Sequence, residues 1–294
     1  MDRTDTTFAS SGVDCAAWLY QPGGTAVVPI VVMAHGFSGV RDQRLDAYAE
    51  QFARAGLAVL LFDYRFFGSS GGRPRQVIGI KAQLEDWRAA IGFARTLPGM
   101  DPSRVALFGS SFSGGHVVAI AAEDKAVAAV VAQCPFQDGL ATLRALSGRA
   151  SARVAWHALR DQGRALLGRT PHYIPAVAAP GELGLMTTPD SKPGFEAITS
   201  PGSTWQNSVA ARVALHVGAY RPGRRAASLT CPALWCVSDD DALCPADVTE
   251  RLASRAPHGE VKHYPCGHFD IYVSPFFEQA VHDQTEFLAR HLVR

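Results

Sequence analysis

Neither charge is in excess in this chain of 294 residues: 28 lysines and arginines face 27 aspartates and glutamates, a net of +1. Without a charged field to gather phosphates or anionic headgroups, nucleic acid and the membrane surface are set aside as partners. A small molecule is the expected one. No apolar run is long enough to span a bilayer, and the opening residues Met1-Asp-Arg-Thr-Asp-Thr-Thr lack the apolar core of a secretory signal, so a cytoplasmic protein is expected. Cysteine is sparse as well. The six present, at positions 15, 134, 231, 236, 244 and 266, form no C-x-x-C pair and no His-rich spacing, which favours buried reduced thiols over zinc or disulfides. Neither a metal nor another cofactor is expected. What the chain has in quantity is apolar residue, 47%, enough at this length for one large α/β domain with an insertion.

Apolar runs alternate with amphipathic stretches, the pattern of a mostly parallel sheet covered by helices on both faces. Strands are expected at about 8–20, as an N-terminal hairpin, then 27–34, 57–63, 105–109, 127–134, 233–237 and 260–264. Ile80, Leu84, Trp87, Ile91 and Ala94 share one helical face, and a last helix from about Phe277 repeats the pattern with Val281, Phe287 or Leu288, and His291 or Leu292. Both stripes are read as core packing. Residues 139–228 break the alternation. Their first part, 140–167, has helical periodicity and arginines. The stretch 170–203 is crowded with proline and glycine around Tyr173, Met186 and Phe195, and a second helix is expected over 205–220. An insertion at this point of the chain lies over the carboxyl ends of the sheet. The division expected is therefore a core of 1–138 and 229–294 with a folded cap of 139–228.

The densest information lies in Val105-Ala-Leu-Phe-Gly-Ser-Ser-Phe-Ser-Gly-Gly115, a buried strand that turns through a serine into a small-residue helix start. A hydroxyl is a usable nucleophile only if it is held clear of the backbone beside a base and oxyanion donors. A tight strand-to-helix elbow does this, with small residues two positions either side. Gly109 and Ser113 bracket Ser111, so the motif is G-x-S-x-S, with serine where the second bracket is usually glycine. Downstream, Ala233-Leu-Trp-Cys-Val237 runs into three consecutive aspartates, and Gly267-His268 follows the next strand, which is the Ser, Asp, His order of an α/β-hydrolase. Pro245 selects among the aspartates. The acid of such enzymes sits four residues before this proline in a G-x-x-D-x-x-x-P loop, here with Ser238 in the glycine place, which points to Asp241. Asp138, after the preceding strand, stays open as the alternative, and Asp239 and Asp240 are read as turn carboxylates. The strand 30–34 ends in His35-Gly36-Phe37-Ser38, where a glycine lets backbone N–H groups approach a substrate. Phe37 N–H and Phe112 N–H are the expected oxyanion hole, and His35 is read as shaping the loop. Phe37, Phe66, Phe67, Phe112, His116, Met186 and Trp205 are the candidates for an apolar substrate pocket.

Taken together, the strings His35-Gly-Phe-Ser-Gly-Val-Arg-Asp, Asp63-Tyr-Arg-Phe-Phe-Gly68, Gln83-Leu-Glu-Asp-Trp-Arg88, Gly109-Ser-Ser-Phe-Ser-Gly-Gly-His116, Leu185-Met-Thr-Thr-Pro-Asp190 and Gly267-His-Phe-Asp-Ile-Tyr272 resemble the polyketide transferase/thiohydrolase-like branch of the α/β-hydrolases. The resemblance spans nearly the whole chain. It implies an α/β-hydrolase core with a helical cap and esterase, thioesterase or acyl-transfer chemistry on hydrophobic or polyketide-like acyl groups, and it supports Ser111, Asp241 and His268 residue by residue. Three readings are open: a hydrolase of esters, thioesters or lactones, an acyltransferase or cyclase using the same acyl-enzyme, and a non-catalytic binding protein on a hydrolase scaffold. The intact Ser-His-Asp set argues against the last. A homodimer is compatible with all three.

Overall fold

The computed structural model describes residues 1–24, 26–145 and 148–293. Among the described residues ten strands occur in chain order: β1 (Asp2–Ser10), β2 (Val13–Gln21), β3 (Val28–Ala34), β4 (Ala58–Phe62), β5 (Met100–Ser110), β6 (Val127–Gln133), β7 (Tyr173–Ile174), β8 (Val209–Ala210), β9 (Ala233–Ser238) and β10 (Gly259–Tyr264). Eight of them build one sheet in the order β1-β2-β4-β3-β5-β6-β9-β10, while β7 and β8 form a separate antiparallel pair. The β1–β2 and β2–β4 pairs are antiparallel and every later pair in the large sheet is parallel. The continuous apolar runs explain this: Ile30 to Ala34 and Ala58 to Phe62 are buried without alternation, as strands covered on both faces require.

The covering helices are α1 (Leu45–Arg54), α2 (Ile80–Ala94), α3 (Phe112–Glu123), α8 (Ala246–Ala253) and α9 (Phe276–Leu292). Helices α4 (Gly139–Ala145), α5 (Gly148–Leu166), α6 (Ser191–Ile198) and α7 (Ala214–Val217) lie in the insertion. The inward face of α2 is Gln83, Asp86, Trp87, Ala90, Ile91 and Ala94, so Leu84 is only half-buried and a polar residue takes the position beside it. That polar substitution has a partner, His116, described below.

Between β6 and β9 the insertion folds on itself. The side chain of Asp161 on α5, fully buried, accepts from the backbone N–H of His172 at 2.7 Å and of Arg212 at 2.9 Å, tying the helix to both strands of the small β7–β8 ribbon at one end. The second helix expected over 205–220 does not form. Residues 209–217 are instead a two-residue strand, a 3-10 turn (Ala211–Val213) and the short α7, because Val209 and Ala210 pair with Ile174 and Tyr173 and so cannot take helical hydrogen bonds. Residues 146 and 147 of the first expected helical stretch lie outside the described residues. No helix among the described residues is long and apolar enough to cross a membrane.

Register places the site. Ala34 pairs with Gly109, Ser110 with Gln133, Gln133 with Cys236, and Ser238 with Tyr264, so β3, β5, β6, β9 and β10 end at nearly the same level. The loops that follow them, carrying His35 to Phe37, Ser111, Pro135, Asp241 and His268, are thereby gathered at one edge, outside the carboxyl ends of the strands.

Candidate active site

Ser111 joins β5 to α3 with φ 56° and ψ −119°, a left-handed backbone that an L-residue adopts only when its surroundings enforce it. Three backbone hydrogen bonds do so. Ser111 N–H donates to Gln133 O at 2.8 Å, and its own carbonyl accepts from Gly114 and Phe136, each at 2.9 Å. Small residues make the turn possible: a Cβ on Gly109 would lie 2.2 Å from Ser113 O, and one on Gly115 would lie 2.3 Å from Phe136 O. The serine at position 113 is no loose substitute for glycine. It is fully buried, and its hydroxyl shares a 2.7 Å hydrogen bond with Tyr64 OH, which accepts in turn from Trp87 Nε1–H at 2.7 Å.

From this elbow Ser111 Oγ reaches His268 Nε2 at 3.0 Å, and His268 Nδ1–H donates to Asp241 Oδ2 at 2.6 Å. The other carboxylate oxygen of Asp241 accepts from Leu243 N–H at 2.8 Å and Cys244 N–H at 2.7 Å, which fixes the acid in the loop after β9. Burial alone disfavours the imidazolium of His268. The adjacent Asp241 carboxylate, its hydrogen bond and the more distant charge of Asp190 outweigh that, so the His268 pKa is raised above the ordinary 6.5. The alternative acid is engaged elsewhere: Asp138 pairs with Arg221 at 2.6 Å and accepts from Leu140 N–H at 3.0 Å, which overcomes its burial and lowers its pKa. Asp239 bonds His263 Nδ1 at 2.7 Å, and Asp240 is exposed.

Asp241, Cys244 and His268 place potential ligand atoms within 4.8 Å of one another, and they are the one such cluster among the described residues. Their chemistry does not suit a metal. The Asp241 and His268 atoms are committed to each other, and the Cys244 thiol is held well above its usual pKa, first by burial and then by the Asp241 charge, so it stays protonated.

On the other side of Ser111 the loop after β3 comes very close, since a Cβ on Gly36 would stand 2.8 Å from Ser111 Cβ. The next residue, Phe37, packs its ring edge-to-face on Phe112 at 5.4 Å. The two N–H groups expected to meet an oxyanion thus belong to residues whose side chains hold each other, and among the described residues neither donates to a backbone carbonyl. His35 lies in this loop with Nδ1–H donating to Gly36 O at 3.0 Å, which is the loop-shaping role expected of it.

A cavity of about 300 Å³ opens beside Ser111, within the size range of small-molecule sites. Its walls are apolar. Phe37, Phe112 and Met186 line it as expected. Phe66, Phe67, His116 and Trp205 do not, and each has a structural reason. Phe66 turns back through a left-handed φ of 75° and packs its ring on Gly72, and Phe67 is buried in the core beside His35. His116 lies beneath Phe112, accepting from Tyr220 OH at 2.7 Å and donating to Gln83 Oε1 at 3.0 Å. Burial lowers its pKa to about 3, so it stays neutral. Trp205 stacks on Phe195 at 5.2 Å and donates to Ser38 O at 3.0 Å, bracing the loop from outside. The walls that sequence reasoning missed are Phe136, Leu143, Val154, Leu215, Leu243 and Cys244. No local motif marks them. They are ordinary apolar residues, brought together only where residues 139–228 fold back over the loops after β6 and β9.

With this geometry in view, comparison with known proteins is direct. Residues 25–272 match the serine aminopeptidase S33 family. The chain belongs to that family of α/β-hydrolases. It is an enzyme of that class, which removes the non-catalytic reading. It is 46% identical over 286 residues to the quorum-quenching protein AidA of Acinetobacter baumannii, a match covering 97% of this chain and 94% of the relative. It is also 27% identical over 307 residues to the polyketide transferase grgF of Penicillium sp, with 99% and 98% covered. The crystal structure of the α/β-hydrolase GrgF superposes with a TM-score of 0.86 at 25% identity over 100% of both chains. Thiohydrolase aneE of Aspergillus aculeatus matches 38% of this chain at 42% identity.

Proposed function

We propose that this protein is a serine hydrolase that opens an ester, thioester or lactone of an apolar acyl group through an acyl-enzyme on Ser111. One observation carries the reading: an unbroken Ser111–His268–Asp241 relay, at 3.0 Å and 2.6 Å, whose serine lines an apolar cavity. Ser111 Oγ attacks the carbonyl carbon while His268 takes its proton. Phe37 and Phe112 N–H groups receive the developing oxyanion, and Asp241 holds the imidazole in the tautomer that accepts at Nε2. His268 then gives the proton to the leaving oxygen or sulfur as the carbonyl–leaving-group bond breaks. In the second half water attacks the acyl carbon, His268 takes a proton from it, and the proton returns to Ser111 as the acid departs.

The expected division into a core of 1–138 and 229–294 and a cap of 139–228 enters here as part of the reading. The insertion supplies Leu143, Val154, Met186 and Leu215 to the cavity, so it would set acyl selectivity while the core loops supply the chemistry. The name of the quorum-quenching relative favours a small signalling molecule as substrate. Acyl transfer is the second reading, favoured by the polyketide transferase that matches along nearly its whole length.

A fluorophosphonate probe tests the reading. Labelling is expected at Ser111, with Ser111→Ala folded and unlabelled. Labelling at Ser110 or Ser113, or none, overturns it.

A further inference from the structure

Ser111 stands where two cavities of very different size meet. The large one receives the acyl group in the reading above. The second, of about 30 Å³, lies against Ser111 and His268 and is walled by Gln43, Phe195, Ile198 and Phe269 among others. Phe37 and Met186 belong to both walls. His268 lines the small cavity and not the large one.

That asymmetry has a chemical consequence, because every proton moved in the reaction passes through His268 Nε2. The leaving group must be there to receive a proton in acylation, and the incoming acceptor must be there to give one in deacylation. Both therefore use the small side. With about 30 Å³ open to water-sized molecules, against about 300 Å³ on the other side of Ser111, the space beside His268 is narrow and crowds any group larger than water or a small alcohol.

We propose that the cavity walled by Phe195 and Ile198 restricts both the leaving group and the acyl acceptor to the smallest molecules. The physiological acceptor is then water, and the substrate is an ester of a small alcohol. This deepens the hydrolase reading and rests on it. The steps balance as written above: one carbonyl–oxygen bond breaks and one forms in each half, and the serine proton is restored.

The walls of this cavity are firm. Phe195 stacks on Trp205 at 5.2 Å and packs on Phe269 at 5.3 Å, and the space at Gly194 is filled by the Phe269 ring, so α6 is packed closely against the residue next to His268.

The test uses one acyl chain throughout. Methyl, butyl and benzyl esters are compared by kcat/KM. Methanol, butanol and benzyl alcohol are then offered as acceptors during turnover of the methyl ester, with acid and ester products separated by mass. Wild type is expected to prefer the methyl over the benzyl ester by about tenfold or more, and to show the same order among the alcohols, since both directions share one site. Phe195→Ala and Ile198→Ala are each expected to reduce that preference about fivefold or more in both directions, while fluorophosphonate, whose leaving group is only fluoride, still labels Ser111 in both variants. Equal use of benzyl and methyl esters by a wild-type enzyme that labels at Ser111 overturns this inference and leaves the hydrolase reading intact. So does an unchanged preference in both variants. Absence of labelling and of turnover in wild type overturns the hydrolase reading itself, and this inference with it.

Discussion

Replacing Gly36 by alanine tests the proposed oxyanion loop and how it is held. Gly36 does not have a left-handed φ, so alanine is conformationally allowed there, and any effect comes from space alone. The new Cβ would stand 2.8 Å from Ser111 Cβ and 3.1 Å from Ser110 O, whereas ordinary contact begins at 3.4 Å. Ser111 cannot yield, since its backbone is fixed by the hydrogen bonds to Gln133, Gly114 and Phe136. The loop must therefore retreat by the difference, 3.4 minus 2.8, or about 0.6 Å. An oxyanion donor acts at about 2.7–3.1 Å, so this retreat takes the Phe37 N–H out of range. Loss of one such donor costs roughly 3 kcal/mol of transition-state stabilisation, a fall in kcat of roughly a hundred- to a thousandfold. Stability is expected to change little, because alanine also restricts the unfolded chain by about 0.4–1 kcal/mol. The measurements are kcat on a reactive methyl ester and the thermal midpoint of the same preparation. A variant within about threefold of wild-type kcat would refute the account, because the second donor would then not depend on this loop.

Three other outcomes are expected. Asp241→Asn reverses the hydrogen bond that sets the His268 tautomer and is expected to lower kcat by roughly 10⁴, whereas Asp138→Asn, which loses the Arg221 pair, is expected to lower the thermal midpoint and spare the chemistry; equal kinetic losses would contradict the assignment. Because the Asp241 charge raises the His268 pKa and only the neutral imidazole accepts a proton, acylation is expected to rise with pH through a midpoint above 6.5, and a midpoint below 6.5 in single-turnover measurements would count against that coupling. Leu215→Ala and Met186→Ala are expected to move the preferred acyl length in graded steps of about 1–3 kcal/mol per methylene, while Trp205→Ala, which lies outside the cavity, leaves the preference in place; the readout is kcat/KM over a series of methyl esters.

Much of this molecule was legible in one dimension wherever local physics is decisive. The parallel strands are written as continuous apolar runs because both of their faces are covered, and the runs from Ile30 and Ala58 mark them within a residue or two. The elbow at Ser111 is legible because only small residues survive its crowding, and Asp241 because its distance to Pro245 fixes the loop in which it sits. Chain order then supplied His268. What the sequence determined in these places is backbone: which segments pair, where they turn, and which polar residue each turn presents.

The tertiary structure decided what those residues meet. Phe66, Phe67, His116 and Trp205 looked like pocket residues because aromatic type is visible in a sequence and direction is not. The fold points Phe67 into the core and His116 onto Gln83 and Tyr220, and it sets Trp205 behind Phe195. The helix expected over 205–220 lost to strand pairing between β7 and β8, whose partners are more than thirty residues apart in the chain. The cavity walls come from the insertion, α3 and the loops after β3, β6 and β9. The division of space around Ser111 into a large apolar side and a narrow side facing His268 has no sequence signature at all. Register and the path of the insertion make it, and both are set by packing between distant segments rather than by the preference of any one of them.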